Sequence, residues 1–273
     1  MKKTLTLISI LGCFCLIALF LIRCDSIVGS APTNVTIEAT TDNTVKIKWT
    51  APSEGNPDKY MINFKEVGTS SWITEDEPAG TATEYTHDPA DKTGDYMVVA
   101  KFGSDEYESG EVSTIPEHTS AIAVSELNAA GNSGYGWDRT GGSGSSYSMT
   151  IAGNAASVDF YISDFAIGYA GPTYSVTSPD LGPSDPTNVV PAGGWRVNGI
   201  STNAVSEQGP LPAHVTGNYV SYTDISTDPI LLGVWTADNN FALVKASGVN
   251  LGAGTVQIET WFQKVKGLRL IQH

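Results

Sequence analysis

The chain reads as all-β: a small sandwich followed by a second antiparallel β domain. Three observations carry this. Short stretches alternate apolar and polar residues with period two, as where Val45, Ile47 and Trp49 oppose Lys46 and Lys48. Such alternation marks a strand with one buried face. Turn formers separate the stretches, among them Thr41-Asp42-Asn43, Ser53 to Asp58, Ala79-Gly80 and Asp91 to Gly94,. No stretch of helical period interrupts residues 31–117.

The elements follow in order. Asn34 to Ala39 is predicted as a first strand and Thr44 to Trp49 as a second. Tyr60, Ile62 and Phe64 repeat the pattern in a third. Trp72 and Ile73 lie in a short, more polar stretch that suits a sheet edge. Tyr96, Val98 and Ala100 give another strand, and Glu111 to Ile115 a last one. Roughly seven strands in about 100 residues make a small sandwich.

Specific residues sharpen this. Ala31-Pro32-x-Asn34-Val35, followed by Val45-x-Ile47-x-Trp49-x-x-Pro52, resembles the opening of a fibronectin type III domain. Tyr60-x-Ile62-x-Phe64 is similar to that family's third strand, and Asp95-Tyr96-x-Val98-x-Ala100 to its tyrosine-corner strand. The resemblance implies that Trp49 is the central core ring. It also implies that the Tyr96 hydroxyl bonds back to the backbone of the preceding corner. That corner departs from the pattern, because His87-Asp88-Pro89-Ala90-Asp91 is longer and more polar. No Arg-Gly-Asp occurs in the chain, so integrin binding is not implied.

The N-terminus predicts export. After Met1-Lys2-Lys3, the 19 residues from Thr4 to Ile22 carry no charge. That length suits a membrane span better than a signal h-region. Residues 1–30 therefore read as a signal peptide or a retained anchor, with Val28-Gly29-Ser30 offering small residues for cleavage. Cys13, Cys15 and Cys24 all fall here. The sequence after Cys24 has no thiol for a disulfide or a metal. Leu21-Ile22-Arg23-Cys24 resembles a bacterial lipobox and makes Cys24 a candidate lipid anchor, although Arg23 stands where a small residue is expected.

The formal net charge is −14. Residues 31–117 hold 17 acidic and 6 basic residues, and residues 118–273 hold 11 and 6. Such surfaces repel nucleic acid and anionic membrane, so neither is an expected partner beyond the N-terminal segment's own membrane contact. No Asp-x-Asp-x-Asp-Gly loop for calcium is present,.

Thr114 to Ser120 reads as a linker to a second β-rich domain over 118–273. Twenty of the 28 glycines lie in this half. Ala121 to Leu127 is ambiguous between strand and short helix. Asn132 to Ser146 reads as a Gly/Ser-rich loop holding Tyr135 and Trp137. Tyr147 to Ile151, Ser157 to Ile162 and Asn218 to Ile225 read as strands, and Pro172 to Pro191 as a long irregular loop. Four strands are predicted at the end: Ile230 to Thr236, Phe241 to Val249, Thr255 to Phe262 and Leu268 to Ile271. Asp238-Asn239-Asn240 and Leu251 to Gly254 would form the hairpin turns,.

Val234-x-Thr236-x-Asp238, Phe241 to Lys245 and Thr255-Val256-x-Ile258 resemble the closing hairpins of bacterial surface β-domains, HmuY-like haem-binding lipoproteins among them. That likeness implies haem held by two histidines. His118, His214 and His273 are the candidates, and no pairing among them is evident.

No His-Glu-x-x-His, nucleophile elbow or dinucleotide-binding glycine pattern is present,. Asp159 and Asp164 read as the solvent face and end of a strand rather than a catalytic pair. Neither a catalytic residue nor a metal or cofactor site is predicted. Trp235 and Trp261 read as core. Trp137, Trp195 and Tyr135, beside Gly-rich loops, are the candidate ligand-binding rings, since exposed rings stack on sugars or seat a partner's apolar group. The sequence thus points to an exported, cell-surface binding or adhesion protein without catalytic function. Its second domain would contact a glycan or a surface protein. The alternatives are a spacer accessory to a polysaccharide-degrading system, a structural envelope protein, or a haem-binding surface lipoprotein.

Overall fold

The computed structural model describes residues 29–41, 43–164, 174–186 and 188–273. Cys24 and the apolar segment before it lie outside these residues.

The first sandwich contains β1 (Thr33–Thr41), β2 (Thr44–Thr50), β3 (Lys59–Glu66), β4 (Ile73–Asp76), β5 (Glu84–His87), β6 (Gly94–Phe102), β7 (Asp105–Glu108) and β8 (Val112–Ser113). One sheet runs β1-β2-β5 and the other β4-β3-β6-β7, with β8 pairing the start of β6. This is the fibronectin type III-like arrangement. Val45, Ile47 and Trp49 on β2 face Tyr60, Ile62 and Phe64 on β3 and Tyr96, Val98 and Ala100 on β6 in one core. The Trp49 ring meets Tyr60 edge-on at 5.0 Å. Each fully buried apolar side chain contributes about 1.5–3 kcal/mol.

Three features differ from the sequence reading. Strand β5, which the sequence reading missed, is four residues long and half-exposed, and it pairs with β2 while Tyr85 alone among its apolar residues packs on the core. The strand expected over Glu111 to Ile115 is reduced to β8, which pairs Asp95–Tyr96, and an unpredicted strand, β7, pairs Val99–Phe102. The Tyr96 hydroxyl meets a side chain, His87 Nδ1 at 2.8 Å, where a backbone partner was expected. The longer corner brings that imidazole inward, against the Tyr96 and Phe64 rings.

The second sandwich contains β9 (Glu117–Ser125), β10 (Gly134–Trp137), β11 (Gly144–Tyr147), β12 (Phe160–Ser163), β13 (Ser175–Thr177), β14 (Gly199–Ser201), β15 (Tyr219–Val220), β16 (Tyr222–Asp224), β17 (Ile230–Trp235), β18 (Phe241–Asn250) and β19 (Thr255–Phe262). A five-stranded sheet, β11-β10-β12-β13-β16, faces a six-stranded one, β15-β14-β17-β18-β19-β9. Phe160, Ile162 and Val176 from one meet Leu232, Val234, Val244 and Ile258 from the other. Residues 121–125 are therefore strand, not helix. The expected irregular loop contains β13 and a 3-10 turn at Pro179–Ser184. The stretch from 218 to 225 is divided between the two sheets.

The closing meander has three strands, not four. Leu268 to Ile271 forms no strand. Instead Val265, Leu268 and Leu270 complete the core of the first sandwich. Ile271, the next residue along, packs with Leu211, Phe241, Leu243 and Trp261 on the outer face of the six-stranded sheet. Successive residues of an extended chain point opposite ways, and here each way is a different sandwich. Nor is there a free linker. Thr114 is fully buried, bonded to Gly94, and its carbonyl accepts the Gln263 amide at 2.7 Å.

Candidate functional site

The three rings singled out from sequence are buried, and this overturns their reading as exposed loop anchors. Tyr135 is fully buried, and Trp137 and Trp195 are 3% and 8% exposed. Tyr135 and Trp137 sit between the sheets of the second sandwich, where Trp137 Nε1 donates to Thr260 Oγ1 at 3.0 Å and Tyr135 Oη lies 2.9 Å from the same oxygen. Trp195 packs with Met149, Val158 and Tyr161 outside the five-stranded sheet, and its Nε1 donates to Pro191 O at 2.7 Å. The glycines that suggested loops serve close packing. A Cβ on Gly136 would lie 1.8 Å from Ser157 O, and one on Gly144 would lie 1.8 Å from Tyr135 Oη.

Asp159, read as solvent-facing, is fully buried at the centre of a charge network. Its carboxylate accepts Trp137 N at 3.0 Å and Asn198 Nδ2 at 3.1 Å, and it pairs with Arg139. Arg196 Nε lies 3.2 Å away, at an angle that makes no hydrogen bond. Asp238 bridges the same two guanidiniums, 2.6 Å from Arg139 Nε. Burial pushes the Asp238 carboxyl up, but bonds from Arg139 and Arg196 outweigh it and hold it below the usual range. A carboxylate so held is a poor proton donor at neutral pH. The network ties β10 and β12 to the β17–β18 turn. Asp164, in contrast, is exposed.

The histidines do not converge as a haem pair would require. His118 pairs with Glu259 at 2.9 Å and stacks on Trp261. His214 stacks on Trp235 at 3.6 Å between centroids. His273 Nδ1 lies 2.9 Å from Ile271 O, and its ring also stacks on Trp261. Among the described residues no three His, Cys, Asp or Glu side chains are placed to hold a metal.

Among the described residues, one groove with room for a ligand is a feature that the sequence reading missed. β15 ends the six-stranded sheet and β16 ends the five-stranded one, so the chain crosses between sheet edges at Ser221. There an open groove of about 670 Å³ is lined by Thr202, Ser226 and the run from Val220 to Asp224. Val220 and Tyr222 are each 40% exposed. Register opposite Thr177 and Ser175 puts Tyr222 and Asp224 on one face of β16, while Thr223 stands opposite the core residue Val176. Ser175 Oγ donates to Asp224 Oδ1 at 3.0 Å. The sequence signal was the alternation around Tyr222. It could not show that this strand ends a sheet.

No protein-family model matches the chain. No curated protein matches it. Among solved structures, the FN3 domain of human collagen XX aligns over 32% of this chain and 92% of its own, at 20% identity and a TM-score of 0.28. The FN1–FN3 domains of chicken CNTN1 align over 87% of this chain and 89% of theirs, at 10% identity and a TM-score of 0.27. Likenesses at this level add nothing to the topology described above.

Proposed function

We propose that this chain is an exported, non-catalytic binding protein whose first sandwich presents the second, and that the β15–β16 groove contacts a glycan. The observation that carries this is the groove itself. It combines a half-exposed tyrosine ring and Val220 with the hydroxyl residues Thr202, Ser221 and Ser226. A sugar offers apolar C–H faces to stack on a ring and hydroxyls to hydrogen-bond. A protein partner usually needs about 800 Å² on each side, which a groove of this size does not supply alone. Attachment to a membrane through Cys24 or the apolar N-terminal segment belongs to the same reading. Cys24→Ser separates the two routes by mass spectrometry of the mature chain.

A glycan array followed by calorimetry tests the central claim. Tyr222→Ala is expected to weaken binding of any hit by at least about tenfold, as loss of one aromatic anchor does. Unchanged binding, or turnover of any glycan, would overturn it. The second reading, a spacer within a polysaccharide-degrading system, is favoured by the clamped junction between sandwiches. It predicts no glycan affinity.

A further inference from the structure

Resting on the glycan reading, we infer that the groove selects glycans bearing free amino groups over N-acetylated and anionic ones. The geometry at Asp224 carries this. Among the described residues lining the groove it is the single charged one. Among the described residues, the one hydrogen bond to its carboxylate is that from Ser175 to Oδ1. Oδ2 thus remains an acceptor for a ligand, on the same face of the strand as the exposed Tyr222 ring. A sugar stacked on Tyr222 brings its substituents within reach of this carboxylate. An ammonium there adds the attraction of opposite charges to its hydrogen bond, whereas a neutral amide or hydroxyl offers the hydrogen bond alone. A uronate or sulfate meets like charge, with no cation among the described lining residues to offset it. The wider field acts the same way. Acidic residues outnumber basic ones 11 to 6 over 118–273 and 17 to 6 over 31–117, which draws cationic ligands in and turns polyanions away.

The test compares oligomers of glucosamine, N-acetylglucosamine and galacturonate of equal length at mildly acid pH, by calorimetry on the full chain. The glucosamine oligomer is expected to bind about tenfold more tightly than the N-acetylated one, and the galacturonate not measurably. Asp224→Asn retains an acceptor for Ser175 and should remove the preference by weakening the glucosamine oligomer about tenfold. Tyr222→Ala should weaken both. Raising salt from about 0.05 to about 0.5 M should narrow the preference. Equal affinity for the two oligomers overturns the inference but leaves the glycan reading standing. A preference that survives both substitutions overturns the inference and the groove reading alike, since that is adsorption to the acidic surface. Failure of every oligomer to bind overturns both.

Discussion

Thr93 and Gln272 stand 179 residues apart in sequence and share two hydrogen bonds. Thr93 N donates to Gln272 Oε1 at 3.1 Å, and Thr93 Oγ1 donates to the Gln272 carbonyl at 2.6 Å. The Gln272 amide then reaches Glu66 Oε1 at 3.0 Å. One residue at the end of the second sandwich thus fastens two strands' ends of the first. The apolar residues just before it fill that sandwich's core.

The first sandwich should therefore depend on the strap. Leu268→Ala is expected to cost about 2–5 kcal/mol, the usual range for a buried leucine. A fragment of residues 29–117 should unfold cooperatively but at lower denaturant concentration than the same sandwich in the full chain. Identical midpoints would show that the strap adds nothing.

Trp49→Ala should cost about 3–5 kcal/mol. The ring is 5% exposed and packs edge-on against Tyr60. Urea titration followed by near-ultraviolet circular dichroism reads the loss. A cost below about 1 kcal/mol would mean the core closes around the gap.

Removing one member of the buried charge network should be costly. Arg196→Ala leaves Asp159 and Asp238 with Arg139 alone, and breaking such a pair costs about 3–5 kcal/mol. Adding Asp159→Asn should recover part of the loss, because less uncompensated charge stays buried. Strict additivity in the double-mutant cycle would argue against coupling.

Burial raises the Glu126 carboxyl above its ordinary value, with help from Asp164 and Asp185 and against the Asn128 N–H. A raised folded pKa contributes stability below the unfolded value and loses it as pH climbs through the folded one. At neutral pH the charged side chain is thus a net cost. Glu126→Gln keeps an acceptor for Asn128 and should stabilise the protein at pH 7, with the gain fading towards about pH 4. No gain at pH 7 would sink this.

Burial lowers the His87 pKa, more than Glu75 and Asp88 raise it. Neutral His87, with Nε2 3.5 Å from Glu75, can accept the Tyr96 hydroxyl at Nδ1. A depressed histidine supports the fold above its unfolded value of about 6.5 and withdraws that support as pH falls through it. Stability of the first sandwich should therefore decline as pH falls below about 6.5. His87→Gln should flatten that slope. Parallel slopes for the two proteins would place the titration elsewhere.

Much of the first sandwich was legible in the sequence, because strands with one wet face and one dry face alternate visibly. Val45, Ile47, Trp49, Tyr60, Ile62 and Phe64 lie in the core that this alternation predicted. The short edge strands β5 and β7 were not legible, since each offers a single tyrosine to the core and no run of alternating apolar residues. In the second sandwich both sheets are covered on parts of their outer faces as well, by Trp195 and Met149 on one and by Leu211 and Ile271 on the other. Burial on two faces erases the period-two signal. Gly-rich β10 then reads as a loop, and its rings, Tyr135 and Trp137, read as exposed.

The sequence by itself determined the fold class, the frame of the first sandwich and its central tryptophan, because local alternation follows directly from one-sided burial. Tertiary structure alone decided the rest. It drew Asp159 inward to two arginines and closed the first core with leucines from the far end of the chain. It also left Tyr222 and Asp224 beside an open sheet edge. Each of these depends on partners distant in sequence, and a residue's own neighbours carry no record of which distant surface it will meet.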